Sequence, residues 1–129
     1  MSVLAKPAVA LGFGAFFLCA ATCAHFDEVG TPWELLPDWT AGIILVGGAV
    51  ISRRDWGTGR QYQIAAWAFM VCLLFVSLVG NVQDWLTQAP EATGSGGLVS
   101  MTQGPYTIIV GILFAVASAG LTASLRARN

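Results

Sequence analysis

Three groups of residues in this sequence have side chains and spacings suited to chemistry. The first is Cys19, Cys23 and His25, a C-x3-C-x-H run. Thiolate and imidazole together are ligands for copper(I) or zinc. Cys19 and Cys23 fall one turn apart on one helical face, whereas His25 points elsewhere unless the helix ends before it. Small buried cysteines are mostly inert packing residues, so packing is the expected role and no metal is assigned. The second group joins His25, Asp27 and Glu28 to Asn81, Gln83 and Asp84, if two antiparallel helices end at one level. Carboxylates and imidazole there suit a divalent ion or a partner's donors. The simpler expectation is a solvated polar rim centred on His25, Asn81 and Asp84. Asn81 sits about one turn inside Trp85, where an amide needs a hydrogen-bond partner. The third group is Arg53-Arg54-Asp55-Trp56-Gly57 with Arg60, read first as a topogenic turn and second as a contact for anionic headgroups or a cytoplasmic subunit.

No catalytic motif emerges from these groups, and the chain is not expected to be an enzyme or to carry a cofactor. His25 is the single histidine, so a haem with two histidine ligands is excluded for one chain. The net charge of -1 gives no basic face to displace counterions from nucleic acid, and that class of partner is excluded too.

The elements that would position these residues are apolar. Of 129 residues, 56% are hydrophobic and 10% charged, against roughly a quarter charged in soluble domains. A hydrocarbon core about 30 Å thick is spanned by about 20 residues of helix, and helix is required because backbone groups cannot be left unpaired in lipid. Four stretches answer to this, at about 3–24, 39–54, 62–85 and 106–125. The first resembles a signal peptide in outline, with Lys6 before an apolar run, but it is long enough to span and is expected to remain as a membrane helix. Thr31-Pro32-Trp33-Glu34 has the form of a capping box and predicts a short interfacial helix, with Pro37 breaking the chain before the second span. The tract Gly94-Ser95-Gly96-Gly97 reads as a flexible loop.

All six basic residues, Lys6, Arg53, Arg54, Arg60, Arg126 and Arg128, fall on one side once the spans alternate. That side is cytoplasmic by the positive-inside rule. The expected fold is an all-α integral membrane four-helix bundle with both termini cytoplasmic, forming a single domain. Trp56 and Tyr62 mark one headgroup level, and Trp33, Trp39, Trp85 and Tyr106 the other.

Two stripes of small residues suit close helix packing in lipid. Gly111, Ala115, Ala119 and Ala123 repeat every four residues in the fourth span, while Ala5, Ala8, Gly12, Ala15, Cys19 and Thr22 alternate threes and fours in the first. They are expected to hold the bundle together, or else to dock another subunit. The spans contain no Asp, Glu, Lys, Arg or His between Pro7 and Ala24, Trp39 and Ser52, Ile64 and Gly80, or Ile108 and Leu125, so the charge a proton-coupled transporter keeps in the membrane is missing. The functional expectation is a non-catalytic accessory subunit of a larger bacterial inner-membrane complex, of the energy-converting or monooxygenase kind. Its partners would be other integral membrane subunits and lipid. The alternative is a small homo-oligomeric channel or transporter lined by Ser77, Asn81, Ser118 and Thr122.

Overall fold

Prolines open two of the helices. In the computed structural model, which describes residues 3–24, 35–87 and 103–127, a 3-10 turn at Val3–Ala5 leads into α1, Pro7–Ala24. α2 runs Leu36–Ile51 with Pro37 in its first turn. A proline costs nothing there, because first-turn N–H groups have no intrahelical acceptor and the ring presets a helical φ. The break expected at Pro37 is therefore absent. The second helix starts earlier than predicted and gives way to a turn at Ser52, short of Arg54. The interfacial helix predicted from Thr31, and the Gly94-Ser95-Gly96-Gly97 loop, lie outside the described residues.

α3, Trp56–Thr87, extends past its predicted span at both ends. Its start is fixed by Asp55. Oδ1 accepts hydrogen bonds from the Gly57 and Thr58 N–H groups at 3.0 and 3.4 Å, and Oδ2 accepts one from the Thr58 hydroxyl. These bonds, the Thr58 hydroxyl foremost, hold the Asp55 carboxyl below its usual range. A lowered folded-state pKa means that the cap contributes above the ordinary carboxylate range and is lost as pH falls through the lowered value. Asp55→Ala is expected to speed amide exchange at Gly57 and Thr58 at neutral pH, while Asp55→Asn retains most of the protection.

α4 runs Gln103–Arg126. The described chain is all-α, without strands. By length and composition α3 and α4 can each cross a membrane, and α1 and α2 are apolar but shorter.

Successive helices pack antiparallel, each through glycine. A Cβ on Gly14 would lie 2.9 Å from Val46 Cγ2, and one on Gly42 would lie 2.6 Å from Leu18 Cδ2, which sets α1 against α2. Trp39 Nε1 adds a hydrogen bond to Thr22 Oγ1 at 3.1 Å. α2 and α3 form a hairpin: Gly48 abuts Tyr62 and Gln63, and Gly59 abuts Ser52. α3 and α4 meet along their whole length, from Trp85 beside Gly104, through Leu78 near Gly111 and Trp67 against Gly120, to Arg60 at the end of α4. Ala10, Phe17, Ala41, Leu45, Trp67, Met70 and Ala117 belong to the shared core.

Arg60 closes the α3–α4 pair. Its Nε and Nη2 donate to the Ser124 and Leu125 carbonyls at 2.9 and 3.0 Å, which the last turn of α4 leaves without helical donors. A cation at a helix C-terminus also opposes the negative end of the dipole. Arg60→Ala is expected to cost about 1–2 kcal/mol and to fray α4 from Ser124 onward, seen as faster amide exchange in that turn alone.

Candidate functional site

The middle of the small-residue stripe of α1 faces outward: Ala8, Gly12, Ala15 and Cys19 are exposed, and a Cβ added at Gly12 would meet nothing within 4 Å among the described residues, whereas Ala5 is buried and Thr22 is half-buried beside Trp39. The face that packs inside the chain is the opposite one, Ala10, Gly14, Phe17 and Ala21. The stripe of α4 is divided. Gly111 lies 3.8 Å from Leu78 as measured to its would-be Cβ, Ala123 is buried against Ala5, Ala119 is half-buried, and Ala115 is exposed. Neither stripe as a whole holds these helices together. On α4 that role belongs to Gly104, Thr107, Val110, Ala117, Gly120 and Ser124, all buried. Small side chains permit close approach, but bulky neighbours such as Phe17, Leu18, Val46 and Trp67 select which small face is used.

Of the polar rim, Asn81, Gln83 and Asp84 lie among the described residues. Asn81 is half-buried; its Nδ2 donates to Ser77 O at 2.7 Å and to Ser77 Oγ at 3.3 Å, while its own carbonyl accepts from Thr107 Oγ1 at 3.4 Å. The amide expected to need a partner thus finds it on its own helix, in Ser77, while the bond from α4 goes to the Asn81 backbone carbonyl. Asp84 is exposed, and His25, Asp27 and Glu28 lie outside the described residues. Cys19, Cys23 and Cys72 are free and exposed. Among the described residues no three His, Cys, Asp or Glu side chains come together as a metal site. Thr122 Oγ1 donates to Ser118 O at 2.9 Å within its own helix. Beside the end of α3, an open apolar groove of about 470 Å³ is lined by Leu78, Val79, Val82, Gln83, Leu86 and Thr87.

Comparison with known protein families, with curated proteins and with solved structures found no match. The chemistry of the site therefore rests on its own geometry.

Sequence reasoning overlooked a buried polar relay. Gln63, 1% exposed, donates from Nε2 to Ser52 Oγ at 2.8 Å, and Ser52 Oγ donates to Gly48 O at 2.8 Å. The relay joins α2 to α3 one turn inside the hairpin. Its signal was available, since Gly48, Ser52 and Gly59 allow close approach and Gln63 is a polar residue where α3 begins its apolar run. Two other buried polar atoms, Trp67 Nε1 and Ser124 Oγ, have no hydrogen-bond partner among the described residues.

Proposed function

We propose that the chain is a four-span protein of the bacterial inner membrane with both ends cytoplasmic, and that it serves as a non-catalytic accessory subunit of a larger membrane complex. The exposed small-residue face of α1 carries this reading. In lipid a helix gains little by exposing Ala8, Gly12, Ala15 and Cys19 to acyl chains, and much by letting another helix approach them closely.

The exterior supports membrane immersion. Phe16, Ile43, Phe75, Val76 and Ile112 are exposed, and only 28% of the most apolar stretch of each of α3 and α4 is buried within the chain. A core helix of a water-soluble domain would be mostly covered. The ion-free spans and one-sided arginines supply the four-span orientation. α2, at about 24 Å of helix, is accommodated by local thinning or by its flanking turns.

The test is purification from native membranes in mild detergent through a C-terminal tag, with mass spectrometry of stoichiometric companions. A defined set of other membrane subunits is expected. Gly12→Leu is expected to lose those companions while the isolated chain keeps its thermal midpoint, because nothing among the described residues crowds that position. Recovery of this chain alone as a discrete oligomer would overturn the proposal in favour of a homo-oligomeric channel or transporter.

A further inference from the structure

We propose that the end of the molecule built from the 3-10 turn, the α2–α3 turn and the last turn of α4 binds the phosphate groups of anionic lipids, an inference that rests on the membrane reading above. The fold gathers three distant segments at this end. Ala5 packs with Ala123 and Ala127, with Leu4 and Trp56 against them. Lys6 directly follows Ala5, Arg126 directly precedes Ala127, and Arg54 lies two residues before Trp56. Three cations from three parts of the sequence thus surround one small apolar contact, with Arg53 beside Arg54.

Nothing within the described chain neutralises them. Lys6, Arg53, Arg54 and Arg126 are exposed and make no ion pair among the described residues. Asp55 is the one described carboxylate at this end, and both its oxygens are committed to Gly57 and Thr58. Asp38 and Asp84 lie at the far ends of α2 and α3. Arg60, by contrast, is committed to the α4 carbonyls. These exposed cations are available to an external counter-charge. Phosphate oxygens at a bilayer surface provide it at the same level as Trp56, whose half-buried indole suits the headgroup region.

The measurement is native mass spectrometry of the full chain released from micelles containing equal amounts of phosphatidylglycerol and phosphatidylcholine. The wild-type chain is expected to retain phosphatidylglycerol preferentially, and raised ionic strength during loading is expected to weaken that preference. The combined variant Lys6→Gln, Arg54→Gln, Arg126→Gln is expected to reduce it, on the order of fivefold for each cation removed. Equal retention of the two lipids by the wild-type chain would overturn the assignment and make an acidic protein surface the counter-charge. So would a preference untouched by salt and by the triple substitution. The membrane reading fails separately, and the lipid assignment with it, if the chain does not float with vesicles of either composition.

Discussion

Trp67→Ala is expected to be among the most damaging single substitutions in this chain, costing about 3–5 kcal/mol. Trp67 is 0% exposed and joins its own helix to two others. Its ring centroid lies 5.1 Å from that of Phe13 on α1, and a Cβ on Gly120 of α4 would fall 2.8 Å from its Cε2. Truncation leaves a void whose walls belong to separate helices, and their backbones cannot collapse together without parting elsewhere. On the proposed membrane reading the loss is one of packing, since expulsion of water contributes little between helices in lipid. Trp67→Phe separates packing from polarity. The indole Nε1 is buried without a hydrogen-bond partner among the described residues, so removing it relieves an unmet donor there and offsets part of the lost volume. A cost of about 1 kcal/mol is expected for Phe. Thermal midpoints of the three proteins in one detergent decide the matter, and equal losses for Ala and Phe would show that Trp67 is not the packing centre. Gly120→Leu should repeat the Ala phenotype from the opposing helix.

Gly59→Ala is the second large effect, expected at about 3 kcal/mol. A methyl group there would overlap Ser52 N, Cα and Oγ, two of which are backbone atoms that cannot rotate away. The α2–α3 hairpin must open, and the Gln63 to Ser52 bond is then lost along with the contact. A buried Gln63 amide without its acceptor adds a desolvation cost of its own. Gly57→Ala is the control, since a Cβ there meets only Asp55 Oδ1 at 3.5 Å. A cross-link between cysteines placed across the hairpin, efficient in the parent and lost in Gly59→Ala, would confirm the opening; unchanged cross-linking would refute it.

Helix content was legible from apolar length and charge placement, because both follow from composition along the chain. The packing faces were not. Ala8-Gly12-Ala15-Cys19 and Ala10-Gly14-Phe17-Ala21 have the same spacing on the same helix, and the choice between them depends on Val46 and Leu18 across the α1–α2 contact. Helical periodicity states which residues share a face and is silent on which neighbour that face meets. Asp55 posed a related problem. In sequence it was one member of the group read as a topogenic turn, whereas its position two and three residues before Gly57 and Thr58 makes it a helix cap. Asn81 was read more successfully, because an amide within an apolar stretch demands a partner wherever the chain supplies one.

The contact between Ala5 and the Ala123–Ala127 turn also imposes an order of events during synthesis. The ribosome makes the first of these segments well before the second. The Val3–Ala5 turn thus waits, unseated, until α4 has emerged. Arg60 waits likewise for the carbonyls of Ser124 and Leu125. The α2–α3 hairpin, whose contacts are local, can form long before. A nascent chain arrested before α4 would hold a finished hairpin and an open clasp, and would offer quality-control proteases its amino-terminal end.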